Sequence, residues 1–315
     1  LSCAIANLNS KGVLLKRGDA LEQITLVDWI GLDKTGTLTE GQFTISQCIN
    51  PSELPDSYYL KIAASIEQYS SHPIARAFSL YERPFTVTDF QSEMGKGVSG
   101  NIEGILYKLG AATFMNIQIP KSMSACNVFL QSDNELICGF LLTDKLRPQG
   151  TALINYLKPY SVNLISGDIA PIVKSVAAEL GIDNWLAEQS PKQKLQTIKE
   201  AQSKKHVVLM VGDGINDGPV LAQADVSITL GAGSDLAKSS ADIVLLDNEL
   251  SKLQTIFSIA ARCKTTIKQN IAWAIGYNLL ILPLAVMGLL SPWMAVLGMS
   301  VSSIIVVVNS TRLLK

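Results

Sequence analysis

The sequence predicts a doubly wound α/β fold with a parallel sheet, interrupted by an inserted α+β domain and followed by two transmembrane helices. Three observations support this prediction. In the flanking parts of the chain, short apolar segments that end on acidic or glycine-rich turns alternate with helix-like segments. Between residues 45 and 140 the pattern changes to strand-like stretches around one helix-like segment. Finally, Gln269–Thr311 is a run of 43 residues without a charged side chain.

Composition excludes several classes of protein. The chain has 315 residues, of which 48% are apolar and 17% charged, so it can build real cores and is not disordered. A net charge of -1 argues against a broad nucleic-acid-binding surface, and no nucleic acid is expected as a partner. Five cysteines without a Cys-x-x-Cys pair, together with two histidines, argue against a disulfide framework or a Cys/His zinc site. A reducing, cytosolic setting fits this composition better.

Branched apolar runs predict the strands of the parallel sheet, and the chemistry of such a sheet lies beyond the carboxyl ends of its strands. The predicted strands are Ile24–Asp33, Ser161–Ser166, Val207–Val211, Asp225–Thr229 and Ile243–Leu246. Helices are predicted at Val173–Leu180 and Pro219–Gln223. In the insert, strands are predicted at Phe85–Phe90, Gly104–Leu109, Val128–Leu130 and Leu136–Leu142, with a helix at Tyr58–Gln68.

The mean hydropathy of +0.27 is high for a soluble protein, and the excess lies in the uncharged run. A membrane helix needs about 20 apolar residues, so this run holds two, divided by the turn signal Ser291-Pro292 into Ile271–Leu290 and Trp293–Val308. Basic residues before and after the pair predict that both ends lie in the cytoplasm. The alternative is a helical hairpin buried in a soluble core.

These patterns divide the chain into five parts. We expect the chain to continue from an upstream membrane helix through a stalk. The predicted parts are 1–22 for the stalk, 23–44 for the first part of the α/β domain, 45–140 for the inserted α+β domain, 141–262 for the second part of the α/β domain and 263–315 for the two transmembrane helices.

Several predicted strand ends carry groups suited to phosphoryl transfer. Asp33 offers a carboxylate nucleophile, and Lys34 and Thr35 follow it with a cation and a hydroxyl. The turn 212–217 adds two acids that can bind magnesium together with phosphate oxygens. Ser166 can donate to phosphate, and Lys194 can neutralise developing charge. Each residue alone is more simply explained as a helix cap or an ordinary turn. Their joint occurrence at the ends of consecutive strands favours the catalytic interpretation.

Two longer motifs carry a family resemblance. Asp33–Gly41 (DKTGTLTEG) resembles the phosphorylation signature of P-type ATPases, and Gly212–Pro219 (GDGINDGP) resembles their hinge motif. Ser166-Gly167-Asp168 is similar to the family's Thr-Gly-Asp. Pro191-x-x-Lys194 and Asp144-x-x-Arg147-Pro148 also match family positions.

The resemblance implies a haloacid-dehalogenase-like fold that uses ATP and Mg²⁺ and forms an aspartyl phosphate on Asp33. It implies that 23–44 and 141–262 form a phosphorylation domain and that 45–140 forms a nucleotide-binding domain. It implies that Asp33, Asp213 and the Thr35 carbonyl hold magnesium. It also implies that Thr35, Ser166 and Lys194 contact the phosphate. Related phosphatases carry a second Asp where this chain has Thr35, so a persistent phosphoenzyme is expected. The implied catalytic set is Asp33, Lys34, Thr35, Ser166, Gly167, Asp168, Lys194, Asn216 and Asp217.

The insert resembles the nucleotide-binding domain of the heavy-metal branch. In that branch a Glu and a His approach the adenine, and glycines let the backbone pass close to the nucleotide. A Gly-x-Gly-x-x-Gly motif alone is weak support for nucleotide binding. The assignment is stronger here because the glycines follow a Glu and a His at the spacing of the family. The matching residues are Glu67, His72, Gly95, Gly97 and Gly100.

The predicted membrane pair has neutral, soft groups in place of charges. Met299, Ser302 and Ser303 share one helix face, and a thioether with neutral polar groups suits Cu(I). Alternatively, the methionine faces lipid and the serines pack helices. Tyr277-Asn278 with this Met-x-x-Ser-Ser resembles the copper-transporting branch, with zinc, cadmium or lead as other ions.

The sequence therefore predicts the catalytic half of an ATP-driven Cu(I) pump in a bacterial inner membrane, with its catalytic domains in the cytoplasm. Membrane lipid and a copper chaperone are the implied partners. Two other hypotheses stay open at this point: a membrane-tethered phosphatase of the same fold, and a non-catalytic fragment.

Overall fold

A computed structural model of the chain describes residues 1–70, 72–93, 96–115, 118–213, 217–231 and 240–314. The chain forms two compact units. The first comprises Leu1–Thr37, Pro148–Asp168 and Val173–Lys315, and the second comprises Leu38–Arg147 and Ile169–Ile172.

The strands and helices alternate along the first unit, whereas strands dominate the second. The strands are β1 (Val13–Leu15), β2 (Trp29–Asp33), β3 (Thr39–Ile49), β4 (Val87–Glu93), β5 (Gly97–Ile102), β6 (Ile105–Gly110), β7 (Val128–Ser132), β8 (Glu135–Leu146), β9 (Ser161–Ile165), β10 (Asn184–Leu186), β11 (Val208–Gly212), β12 (Val226–Leu230) and β13 (Ile243–Leu245). The helices are α1 (Ser2–Ser10), α2 (Ala20–Ile24), α3 (Asp56–Glu67), α4 (Ala75–Phe78), α5 (Ala112–Met115), α6 (Gly150–Leu157), α7 (Ala170–Leu180), α8 (Pro191–Ser203), α9 (Gly218–Gln223), α10 (Ser251–Val286) and α11 (Pro292–Thr311).

The described strands of the first unit form a single sheet in the order β1-β13-β12-β11-β2-β9-β10. β2 pairs in parallel with β11 on one side and β9 on the other, and only β1 at the edge runs antiparallel among these strands. Every residue of β2, β11 and β12 is buried, as expected for central strands covered on both faces. The predicted doubly wound parallel sheet is confirmed.

The first predicted strand is shorter in the structure. The sequence assigned Ile24–Asp33 to one strand, but β2 begins only at Trp29. Residues 20–24 form α2 instead, because Ala20, Leu21 and Ile24 recur at helical spacing and are all buried. Asp28 then accepts a hydrogen bond from the Val207 backbone N–H at 2.9 Å, directly before the strand begins.

The second unit is an antiparallel sheet in the order β3-β8-β7-β6-β5-β4, with α3 and α4 packed on one face. Its core includes Ile62 and Ile66 of α3, and the rings of Phe78 and Phe140 meet edge to face at 5.3 Å. β5 was missing from the prediction because glycine and polar residues obscure its alternation. The unit also extends beyond the predicted 45–140, since the β3–β8 ladder continues to Thr39 and Leu146.

Within the described residues, two helices are long and apolar enough to cross a membrane. α10 has 36 residues, so it measures about 54 Å at 1.5 Å per residue, and α11 has 20 residues. Their apolar segments are exposed, which argues against a hairpin buried in a soluble core. Asn270 joins the two helices: its amide donates to Ser310 Oγ at 3.0 Å, and its Oδ1 accepts from Asn309 at 2.9 Å.

Candidate active site

Asp33 is the last residue of β2, at the carboxyl end of a strand in the middle of the sheet. Its side chain is almost completely buried. The chain then turns through Lys34–Leu38, where Gly36 has a φ of +72°. The carboxyl ends of parallel neighbours meet at one edge, so the loops that follow β9 and β11 lie beside Asp33.

Lys194 links two buried carboxylates. Its Nζ donates to Asp33 Oδ1 at 2.6 Å and to Asp217 Oδ2 at 2.7 Å. Local sequence fixes the start of α8, because Ser190 and Gln193 form a reciprocal capping box. The cap places Lys194 in the first turn, on the buried face of the helix. Lys194 thus links the carboxyl end of β2 to the residue that directly precedes α9, although these two segments are far apart in the sequence.

The buried charges shift one another's ionisation. Burial raises the pKa of Asp33 to about 7, Lys194 opposes this shift, and Asp217 and Asp213 add to it. Burial by itself would lower the pKa of Lys194, but attraction to Asp33 and Asp217 outweighs burial and raises it. Lys194 is therefore a permanent cation at physiological pH, and it favours the ionised form of the neighbouring Asp33.

The loop after β9 brings the predicted Ser-Gly-Asp motif to the same edge. Ser166 is buried, and its Oγ accepts a hydrogen bond from the Asp168 backbone N–H at 3.1 Å. Asp168 forms an ion pair with Lys34 at 2.7 Å, so the residue after Asp33 is fixed by the neighbouring loop. Gly167 lies between them, and Thr35 follows Lys34 in the turn after Asp33.

Asp213 packs directly against the turn that follows Asp33. A Cβ atom placed on Gly36 would lie 2.6 Å from Asp213 Oδ2, closer than any side chain tolerates. Two features therefore require glycine at position 36: the positive φ and the close approach of Asp213. Asn216 of the predicted set lies outside the described residues.

These carboxylates suit a magnesium ion. Asp217 Oδ1 is buried and has no hydrogen-bond partner among the described residues. Nor do any three His, Cys, Asp or Glu side chains in the described ranges form a group that could hold a metal without further ligands. Mg²⁺ is usually bound by one or two carboxylates and completes its shell with water and substrate phosphates. Asp33 and Asp213 fit that pattern.

The second unit contains a cavity of about 420 Å³ that holds several of the predicted nucleotide-binding residues. Glu67, His72 and Gly97 line it. Sequence reasoning did not identify Lys96, Gly110 and Asn127, which also line it. Gly110 had a recognisable signal, since it directly follows the predicted strand Gly104–Leu109. In the structure it pairs with Gly97 in the ladder.

Burial shifts the pKa values of Glu67 and His72, two of the titratable groups that line the cavity, in opposite directions. It raises the pKa of Glu67 to about 7, partly offset by a hydrogen bond with Ser70. Glu67 Oε2 has no hydrogen-bond partner among the described residues. Burial lowers the pKa of His72, whose Nδ1 accepts from the Ile74 backbone N–H at 3.3 Å. The cavity thus offers a neutral imidazole and a carboxyl group with an unused oxygen.

Two glycines of the predicted nucleotide pattern lie elsewhere. Gly100 does not line the cavity; a side chain there would collide with Val87 on the neighbouring strand, at 2.5 Å. The packing of β5 against β4 therefore explains why position 100 is a glycine. Gly95 lies outside the described residues.

The predicted ion ligands divide between two surfaces of the α10–α11 hairpin. Tyr277 Oη is buried where a Cβ on Gly298 would lie 2.5 Å away, and among the described residues it has no hydrogen-bond partner. Trp273 Nε1 donates to Ser302 Oγ at 3.0 Å, so Ser302 faces α10. The remaining three lie on the exposed surface of the hairpin: Asn278, Met299 and Ser303.

Comparison with known proteins identifies the class. The family model for a haloacid dehalogenase-like hydrolase matches residues 27–225. Copper-exporting P-type ATPase B of Archaeoglobus fulgidus is 37% identical over 96% of this chain and 47% of its own length. The chain therefore spans about half the length of this relative.

Solved structures agree with this match. The catalytic domain of a CPx-ATPase, CopB-B, is 32% identical, with a TM-score of 0.68 over 80% of this chain and 98% of that domain. A zinc-transporting PIB-type ATPase in its E2.Pi state is 27% identical, with a TM-score of 0.76 over all of this chain and 54% of the other. The chain belongs to the haloacid dehalogenase-like hydrolases, in their P-type ATPase branch.

Proposed function

We propose that this chain is the catalytic half of an ATP-driven Cu(I) pump that works through an aspartyl phosphate on Asp33. One observation carries the proposal: a nearly buried carboxylate at the end of the central strand is held by the Lys194 cation, which also holds Asp217. This is the arrangement that phosphoryl transfer requires, because catalysis rests on positioning and charge neutralisation.

In the proposed reaction, an Asp33 carboxylate oxygen attacks the γ-phosphorus of ATP, and the bond to the ADP oxygen breaks. Lys194 holds Asp33 in place and offsets the negative charge that gathers on the transferred group. Ser166 and Thr35 line the same edge as hydroxyl donors. When bound by Asp33, Asp213 and the Thr35 carbonyl, Mg²⁺ supplies further charge neutralisation. Thr35 has no carboxyl group to activate water, so the phosphoenzyme persists.

ATP is proposed to bind in the cavity of the second unit, with its base near Glu67 and His72. The cavity volume of about 420 Å³ falls in the range of small-molecule sites. Glu67 Oε2 has no hydrogen-bond partner within the part of the chain that the structure describes, and burial lowers the pKa of His72, which favours a neutral imidazole. Both features suit the neutral edge of a base.

Cu(I) is proposed as the ion because Met299 supplies a soft thioether. The other predicted ligands on the α10–α11 hairpin are neutral, although they lie on two of its surfaces: Tyr277, Asn278, Ser302 and Ser303. The relative from Archaeoglobus fulgidus is named a copper exporter. A zinc or cadmium pump is the second candidate, favoured by the similarity to a zinc-transporting structure. The proposed location is a bacterial inner membrane crossed by α10 and α11, with the catalytic domains in the cytoplasm. A copper chaperone is the proposed donor of the ion.

The proposal is tested by incubating the chain with γ-labelled ATP and magnesium and quenching in acid. Acid-stable label that hydroxylamine removes, and that Asp33→Asn abolishes, is the expected result. Label that survives in Asp33→Asn would refute the assignment of the nucleophile. ATP binding without any label would limit this chain to nucleotide binding, and absence of both would leave the non-catalytic hypothesis standing.

Nucleotide binding is expected to weaken as the pH rises through 7. Burial raises the pKa of Glu67 to about 7, and the neutral carboxyl can both donate to and accept from a purine edge, whereas the carboxylate only accepts. The affinity is thus highest below the pKa and falls above it. We expect the Kd for ADP, measured by calorimetry, to rise roughly tenfold between pH 6.5 and 8.5.

Glu67→Gln is the matched control for this pH dependence. The amide keeps a donor and an acceptor but does not titrate, so its Kd should stay nearly constant over the same range. A pH slope in Glu67→Gln equal to that of the unmodified chain would assign the titration to the nucleotide phosphates or to another residue.

A further inference from the structure

Two cysteines of the second unit lie side by side on neighbouring strands. Cys48 is on β3 and Cys138 is on β8, and their Sγ atoms are 3.2 Å apart. In the ladder Cys48 pairs with Phe140, so Cys138 is its diagonal neighbour two residues away. Side chains two residues apart on one strand point to the same face, so both thiols lie on the same side of the sheet.

The pair is accessible from one side only. Cys138 is completely buried in the core that contains Phe140, whereas Cys48 is partly exposed at the edge of that core. A reagent therefore reaches Cys48 first, and Cys138 is within contact distance to react next. None of the catalytic or nucleotide-binding steps proposed above uses either thiol.

The third cysteine of this unit is separated from the pair by the sheet itself. A Cβ on Gly139 would lie 2.9 Å from Cys126 Sγ. Successive residues of a strand face opposite sides, so Cys126 lies on the side away from Cys138. Burial raises the pKa of Cys126 to about 11, and the hydrogen bond with Cys48 together with burial raises that of Cys138. The contact with Cys48, and not thiol acidity, therefore distinguishes Cys138 from Cys126.

We propose that Cys48 and Cys138 form a reversible dithiol–disulfide pair that responds to peroxide-class oxidants. The Cys48 thiol gives up its proton, and the thiolate attacks one peroxide oxygen. The O–O bond breaks, a sulfenic acid forms, and the hydroxide that leaves takes up a proton to become water. The Cys138 thiol then attacks the sulfenic sulfur, the S–O bond breaks, and a second water leaves as the S–S bond forms. Two thiols are oxidised and one peroxide is reduced, and an external dithiol reverses the reaction.

The disulfide would connect β3 to β8 and close the chain between residues 48 and 138. That loop contains α3 and the residues that line the cavity. The β3–β8 ladder has a register irregularity between Ile45 and Gln47, close to Cys48. A covalent link beside this irregularity would hold the ladder where its hydrogen bonding is interrupted. Closing a long loop also restricts the unfolded chain.

The pair can be tested in the full chain in detergent micelles. Hydrogen peroxide is added, the remaining thiols are alkylated, and proteolytic peptides are analysed by mass spectrometry. We expect a cross-linked Cys48–Cys138 peptide two hydrogens lighter than the sum of its parts, and its loss after reduction. The chain's other cysteines, Cys3, Cys126 and Cys263, should be recovered alkylated.

Matched variants make the result decisive. Cys48→Ser should abolish the cross-link, whereas Cys126→Ser and Cys263→Ser should leave it unchanged. Oxidation should also slow amide hydrogen exchange in β3 and β8 about tenfold, and Cys48→Ser should show no such change. Recovery of Cys48 and Cys138 as alkylated thiols after peroxide, or a cross-link to a different cysteine, would overturn the proposal.

Discussion

Replacing Lys194 by Met is expected to reduce phosphoenzyme formation about 10³-fold, since it removes the only cation that the structure places within hydrogen-bond distance of Asp33 among the described residues. Methionine keeps the length of the side chain but has no charge. Two buried carboxylates, Asp33 and Asp217, then face each other without the group that holds them together. The measurement is the initial rate of acid-stable labelling by γ-labelled ATP.

The pH dependence of the Lys194→Met variant separates a charge effect from unfolding. Lys194 opposes the upward shift in the pKa of Asp33, so its removal raises that pKa further above 7. Asp33 becomes mostly protonated, and therefore non-nucleophilic, at neutral pH. Raising the pH should restore part of the labelling rate in Lys194→Met. A loss that is equal at all pH values would show that positioning, and not ionisation, is the main role of Lys194.

Lys199→Met provides the control for this experiment. Lys199 lies on the same helix as Lys194 but is exposed, so its loss should leave labelling unchanged. The free energy of unfolding should fall by about 3 kcal/mol in Lys194→Met, as when one partner of a buried ion pair is removed. Equal labelling in the two variants would refute the assigned role of Lys194.

The sequence was sufficient to predict which residues gather at the carboxyl edge of the parallel sheet, because that edge is built from local signals. β2 and β11 are buried apolar runs, and β9 is buried at its carboxyl end. A candidate site residue lies at the end of each of these three strands or just after it, as Asp33 does after Leu32. Lys194 does not follow a strand in this way. Only the motif Pro191-x-x-Lys194 indicated that it belongs to the site, because its distance from Asp33 along the chain carries no such information. The salt bridge that joins it to Asp217 depends on tertiary packing of α8 that no local pattern encodes.

Prediction was weakest where a residue's role depends on distant partners. Ile24 is equally compatible with a strand or a helix. It belongs to α2 because the helix buries it against the rest of the unit. Gly100 matches a nucleotide-binding motif, but the atom that a Cβ at this position would meet first belongs to Val87 on the adjacent strand. Lys96 and Asn127 come from different loops and meet only at the cavity. Such contacts are set by strand pairing, which a single sequence does not reveal.

Gly36→Ala is expected to reduce phosphoenzyme formation about 100-fold or more, through displacement of Asp213. The new methyl group would lie 2.6 Å from Asp213 Oδ2, and the φ of +72° also disfavours a side chain. The carboxylate must move away from the turn that follows Asp33, which separates two groups that are proposed to share magnesium. The measurement is the magnesium concentration that gives half-maximal labelling, which should rise together with the loss of rate.

Gly181→Ala distinguishes this displacement from backbone strain. Gly181 has nearly the same φ, +73°, but a Cβ there would meet no atom within 4 Å. Both variants carry the strain of a left-handed alanine, about 1 kcal/mol, and only Gly36→Ala disturbs Asp213. Gly181→Ala should therefore lose some stability but keep its magnesium dependence. If both variants shift the magnesium requirement equally, strain accounts for the effect and Asp213 does not depend on the absence of a side chain at position 36.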